Sequence, residues 1–170
     1  MNIRIALSLG ANLGRIEATF NTAVSGLARA GLTDIRKSSL FRNPAQGCAP
    51  GTPDFINAAV SGQWPASVEA LHEVCKKLEE AAGRPINHEH YASRTLDLDI
   101  ILFGEQVIHS DTLDIPHKQA LKRLFVLVPL AEIAEDWNFP GQPQNVAALL
   151  ALHRETEAYR RFVQERMDWR

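Results

Sequence analysis

Two periodicities alternate along this chain, and their order restricts the fold more than any other feature. Residues 3–9, IRIALSL, alternate with period two and read as a strand. GANLG then turns the chain into a helix, with Leu13, Ile16, Phe20, Ala23, Val24 and Leu27 at helical spacing, Asn12 as a candidate N-cap and Gly31 as its stop. Residues 33–43, TDIRKSSLFRN, read as a second strand, and 54–64, DFINAAVSGQW, as a third. Pro65 and Ser67 open a second helix, with Val68, Leu71, Val74, Leu78 and Ala82 on one face and Gly83 at its end. SRTLDLDIILFG, 93–104, is a fourth strand. Strand, helix, strand, strand, helix, strand is the βαββαβ, ferredoxin-like pattern. It implies an α+β fold, a mostly antiparallel sheet with both helices on one face. Later elements are then free to cover the other face and complete a three-layer αβα sandwich.

The connections fit one domain over residues 1–170. NPAQGCAPGTP, 43–53, holds three of the nine prolines and reads as a loop. RPINHEHYAS, 84–93, is polar and without period, a second loop expected to be mobile and to close over a site. GEQVIHSDTLDIP suggests a small hairpin, and Pro116 a helix start carrying His117, Lys118, Lys122 and Arg123. FVLVPLAEIAEDW reads as apolar and partly helical. Residues 141–170 read as a helical appendage, with helices near 145–153 and 155–167.

A length of 170 residues buries a core without staples, and 45% hydrophobic with 22% charged residues is an ordinary globular balance. A formal net charge of -2 argues against a nucleic-acid partner, and the absence of a polybasic run or a long apolar segment argues against a membrane. Cys48 and Cys75 are in no metal or redox spacing, and Cys75 reads as a buried helix residue. The N-terminal apolar run is short and broken by Arg4, so the expected compartment is the cytoplasm.

Within the fourth strand, Asp97 and Asp99 are two residues apart and therefore share a face, roughly 6–7 Å from each other. Two carboxylates there suit a divalent cation such as Mg²⁺, which takes one or two carboxylates and fills its octahedron with phosphate and water. The same pair also fits an exposed sheet face with two solvated aspartates. Basic neighbours favour the first reading: Arg84 and Arg94 before the strand, His117, Lys118, Lys122 and Arg123 after it. Carboxylates for metal with guanidinium groups for phosphate oxygens form a phosphoryl-transfer set. No P-loop is present, because GANLG is too short and lacks the lysine. A metal-dependent nuclease is disfavoured by the lack of further acidic residues in strand register and of a basic face.

HYASRTLDLDII, 90–101, resembles the signature of the 6-hydroxymethyl-7,8-dihydropterin pyrophosphokinase family, with His90, Ala92, Arg94, Asp97, Asp99, Ile100 and Ile101 in its positions. ALSLGANLG, PDFINAAV and IPHKQALKRLFVLVPLAEIAED resemble the family's other segments in the same order, from about residue 3 to residue 140. The resemblance implies transfer of a pyrophosphoryl group from ATP to the hydroxymethyl oxygen of the dihydropterin, with release of AMP, in folate biosynthesis. It further implies two Mg²⁺ ions on Asp97 and Asp99, and catalytic phosphate contacts from Arg84 and Arg94. Nucleotide contacts are implied from Lys76, Glu79, Tyr91, Arg94, His117 and Arg123. A pterin site is implied from Asn43, Pro44, Phe55, Asn57 and Phe125, the two phenylalanines stacking on the ring. A monomer is expected.

The chain departs from the family pattern at several positions. Ile86 stands where another basic residue is frequent, Tyr91 where a tryptophan is, Lys118 where an aromatic is, and Lys76 in place of a glutamine-like residue. Asn43 and Gln46 also differ on the pterin side. Two alternatives follow from these departures: the same reaction on a variant pterin, and a catalytically weak paralogue that binds pterin or nucleotide.

Overall fold

A computed structural model of the chain describes residues 1–44, 49–83, 95–117 and 119–170. The sheet is built on β1 (Ile3–Ala11) at its middle. β1 pairs antiparallel with β4 (Phe55–Trp64) along its whole length and with β5 (Asp97–Phe103) on its other side. The second predicted strand is two strands, β2 (Thr33–Lys37) and β3 (Leu40–Asn43), both antiparallel to β4. The break falls at Ser38, whose buried hydroxyl accepts the Ala59 N–H at 2.8 Å and replaces a ladder bond. A final short strand, β8 (Arg166–Met167), lies outside β3, so the order is β5-β1-β4-β3-β8 with every neighbouring pair antiparallel. β6 (Ile108–His109) and β7 (Asp114–Ile115) form the small hairpin the sequence suggests.

Period two sends alternate residues of the central strands into two cores. Ile5, Leu7, Leu9, Ile56, Ala58, Val60, Leu98 and Ile100 pack with α1 (Ile16–Ala30) and α2 (Val68–Ala81). Ala6, Phe41, Ala59, Ile101 and Leu102 pack with α3 (Leu124–Ala134), α4 (Val146–Ala151) and α5 (Glu157–Gln164). Four apolar residues in succession, Ile100–Phe103, are therefore needed because β5 is covered on both faces. A register shift opposite Ala6 and Leu7 turns both Ile101 and Leu102 toward the second core.

Several local expectations change. α1 starts at Ile16 after Arg15, and Asn12 instead donates its side-chain N–H to the Pro53 carbonyl at 3.0 Å, tying β1 to the loop before β4. Leu13 is exposed and lies outside the helix. α2 is capped by Ser67, whose hydroxyl accepts the Ala70 N–H, as serine does at this position. Pro116 does not open a helix: a 3-10 turn over Ala120–Lys122 intervenes, and α3 begins at Leu124. The last predicted helix stops at Gln164 and gives way to β8. No helix among the described residues is long and apolar enough to cross a membrane.

Candidate active site

Directly opposed residues of an antiparallel ladder share a face. Gly10 of β1 opposes Asp97 of β5 on one side and Asn57 of β4 on the other, and Asn57 opposes Phe41 of β3. Asp97, Gly10, Asn57 and Phe41 thus form one row across four strands. The next row runs Asp99, Ser8, Ala59, on the same face, and Asn43 opposes Phe55 one row further out in the other direction. Pro44 follows directly after β3. Sequence spacing anticipates that Asp97 and Asp99 share a face. It carries no sign that Asn57 lies two strands away in Asp97's row, because that depends on register.

Gly10 has a physical reason in this row. A Cβ built there would stand 3.1 Å from Asn57 Nδ2, so the amide leans over the glycine where any side chain would push it. Asn57 is 6% exposed, and its Oδ1 finds no donor among the described residues. A buried amide oxygen left without a donor costs about 1–3 kcal/mol, so this oxygen is open to a hydrogen bond from a group beyond the described residues.

Beside Asp99 opens a cleft of about 310 Å³ between β5, α2, the β6–β7 hairpin and the start of α3. Its apolar wall includes Leu98, Ile100, Ile115 and Val126; among the described residues its cationic side chains are Lys76 and Arg123, with His117 and Phe125 beside them. The Arg123 guanidinium stands 5.4 Å from the centre of the Phe125 ring. His117 Nδ1 accepts the Gln119 N–H at 3.1 Å, which directs the other ring nitrogen elsewhere. Lys76, Asp99, and His117, Arg123 and Phe125, from three separate segments, therefore meet at one cleft. His72 also lines it, a residue that motif reading passed over. Its signal was available, since it precedes Lys76 by one helical turn of α2. Desolvation, and then the Lys76 cation, hold the His72 imidazole below its usual 6.5.

Glu79 is 3% exposed and is not among the residues lining the cleft. One of its oxygens accepts the Leu98 N–H at 3.0 Å, and the other lies 3.6 Å from Lys76 Nζ. β5 is an edge strand, so its outer amides need partners beyond the sheet. Glu79 supplies one between Asp97 and Asp99. One turn earlier on α2, burial, with the Glu79 and Asp99 carboxylates acting in the same direction, pushes the Cys75 thiol up to about 12. Cys75 is thus an inert core thiol, as its sequence context suggests. Arg84, Tyr91 and Arg94, with Ile86, Gln46 and Lys118, lie outside the described residues.

This arrangement defines a mixed α/antiparallel-sheet protein with an acidic pair beside a cation-lined cleft. The same architecture occurs in a triple mutant of Plasmodium falciparum HPPK-DHPS, with a TM-score of 0.71 over 99% of this chain and 47% of that one, at 14% identity. Residues 6–135 match the family model described as 7,8-dihydro-6-hydroxymethylpterin-pyrophosphokinase (HPPK), and the chain belongs to that family. Among curated relatives, the 2-amino-4-hydroxy-6-hydroxymethyldihydropteridine pyrophosphokinase of Synechocystis sp. is 39% identical over 85% of this chain and 73% of its own. The protein of the same name from Methylorubrum extorquens is 34% identical over 82% of this chain and 87% of its own. The chain also matches 26% of the length of a folate synthesis bifunctional protein from Arabidopsis thaliana, at 35% identity.

Proposed function

We propose that the chain transfers the β,γ-pyrophosphoryl group of ATP to 6-hydroxymethyl-7,8-dihydropterin in folate synthesis. The hydroxymethyl oxygen bonds to the β-phosphorus, the bond from that phosphorus to the α,β-bridging oxygen breaks, AMP leaves, and the hydroxyl proton passes to solvent. Family membership gives the reaction class. The observation that carries the assignment to this chain is the shared sheet face, which holds Asn57's amide oxygen, without a donor among the described residues, in line with Asp97 and one row from Asp99.

Asn57 accepts a hydrogen bond from the pterin edge, Phe55 and Phe125 stack on the ring, and Asn43 and Pro44 border it. Lys76, His117 and Arg123 hold the nucleotide phosphates from the cleft, with Arg suited to paired phosphate oxygens. Glu79 keeps Lys76 and β5 in place. Arg84 and Arg94, as catalytic phosphate contacts, and Tyr91, on the nucleotide, complete the set on the strength of the family resemblance. Asp97 orients the attacking hydroxyl.

Among the described residues no group of three or more His, Cys, Asp or Glu could hold a metal ion. Two carboxylates on one face, with phosphate and water for the rest, nevertheless fit Mg²⁺. We assign Asp97 and Asp99 to two such ions, which when bound would neutralise triphosphate charge. The strand order and the two cores support a ferredoxin-like sheet within an αβα sandwich. Residues 1–170 then act as one domain and a monomer, with 141–170 part of it.

The test is product identity. Incubation with ATP, Mg²⁺ and the hydroxymethyl dihydropterin yields AMP in step with pyrophosphorylated pterin, and AMP formation stops when either the metal or the pterin is left out. ADP as product, or no AMP with any hydroxymethylpterin, overturns the reading.

A further inference from the structure

Residues beyond α5 do more than finish the chain. β3 is only four residues long, and its inner side pairs with β4 through Phe41–Asn57, Arg42–Ile56 and Asn43–Phe55. Its outer side is held by the segment that follows α5: Leu40 pairs with Met167, Phe41 with Arg166, and the Arg42 N–H donates to the Glu165 carbonyl at 3.2 Å. Just before this segment, the Phe162 ring of α5 stacks on Phe41 at 5.5 Å with 14° between planes.

Just after it, the chain is fastened to the opposite layer. Trp169 packs on Phe20 of α1 with centroids 5.8 Å apart, and its Nε1–H donates to Asn21 Oδ1 at 2.8 Å. Asn21 Nδ2 donates to the Arg170 carbonyl at 3.0 Å, the Arg170 N–H donates to Glu17 Oε1 at 2.9 Å, and Lys37 Nζ lies 4.6 Å from the Trp169 ring centre. Between these anchors, Arg166 donates to the Ser39 hydroxyl at 2.9 Å and pairs with Glu132 of α3 at 3.2 Å. Glu132 in turn accepts the Ser39 N–H at 2.6 Å. The segment thus runs from the core on one face, around the outer edge of β3, to the helix on the other face.

We infer that residues 162–170 form a strap that positions β3 for pterin binding, with Phe162 and Trp169 as positioning residues; this rests on the pyrophosphokinase reading. Phe41 lies between the strap and Asn57: it stacks on Phe162 on one side and opposes Asn57 in the ladder on the other. Asn43 and Phe55 are the next opposed pair of the same two strands. A four-residue strand free on one side frays, and side chains that must be re-ordered on binding reduce affinity. The nucleotide cleft is bounded by β5, α2 and the start of α3, across the sheet from β3. The strap's ion pair with α3, at Glu132, falls near the far end of that helix from Arg123, so the strap bears chiefly on the pterin side. Mere protection of a sheet edge against pairing with other chains predicts no such asymmetry.

The experiment compares wild type, Trp169→Ala, Trp169→Phe and Asn21→Ala by steady-state kinetics and by amide hydrogen exchange. Trp169→Ala raises KM for the hydroxymethyl dihydropterin by about three- to tenfold while KM for ATP stays within about twofold. It also speeds exchange of the Arg42 amide but not of the β1 amides that face β5. Trp169→Phe, which keeps a ring on Phe20, stays close to wild type in both readouts, and Asn21→Ala, which keeps the ring packed, gives a smaller shift than Trp169→Ala in the same direction and carries the test even if Trp169→Ala does not fold. Equal rises in both KM values, or faster Arg42 exchange with pterin KM unchanged, overturn the positioning role. If wild type turns over no pterin, the pyrophosphokinase reading fails instead, and Arg42 exchange still reports whether the strap holds β3.

Discussion

At the scale of single residues, Asp97, Asp99 and Asn57 share one face, and Glu79 supports it from α2. The aspartates present charge, and Asn57 presents an amide oxygen with no donor among the described residues. Glu79 holds the peptide between the aspartates by accepting the Leu98 N–H from behind the strand. Glu79→Ala removes that acceptor from a buried amide and should cost about 1–3 kcal/mol in denaturant unfolding. It should also lower kcat by about tenfold or more through misplaced aspartates. Glu79→Gln keeps an acceptor oxygen and should recover most of the stability. Unchanged kcat in Glu79→Ala would refute the strut. The aspartate pair was legible in the sequence because a strand's period fixes which residues share a face. The strut was not. A buried glutamate on an amphipathic helix looks like any late-helix charge until the edge amide it serves is known.

At the scale of elements, the repeating alternation of strand and helix was readable, and so was the hairpin over Ile108–Ile115. The failures share one cause: local sequence does not announce a tertiary hydrogen bond. Nothing in TDIRKSSLFRN marks Ser38 as the place where a side chain substitutes for the ladder, so the segment reads as one strand where there are two. The end of the predicted 155–167 helix likewise continues a helical charge pattern, but pairing with β3 makes Arg166–Met167 a strand. Gly62 shows how tightly β2 sits on β4. A Cβ there would lie 2.6 Å from the Thr33 carbonyl oxygen and 2.9 Å from Leu32 Cδ1. The oxygen belongs to backbone and cannot turn aside. Gly62→Ala should therefore destabilise the fold by about 1–3 kcal/mol, read as a lower denaturation midpoint with unchanged slope. A midpoint equal to wild type would show that β2 has room to move.

At the scale of the whole molecule, one sheet separates two cores, and the face toward α3 stops being core where Asp97 and Asp99 begin. β5 makes that change within seven residues: Ile100–Phe103 are buried, Asp97 is half-buried and Asp99 is exposed at the cleft. The apolar end anchors the polar end, so loss of an aspartate should cost chemistry and not folding. The measurement that bears most directly on this is pterin-dependent AMP formation by Asp99→Asn across a Mg²⁺ titration, beside its thermal unfolding. The predicted result is a fall in kcat of about a thousandfold or more, not restored by high Mg²⁺, with the unfolding midpoint close to wild type. Turnover within about tenfold of wild type would contradict the assignment of this face to the reaction.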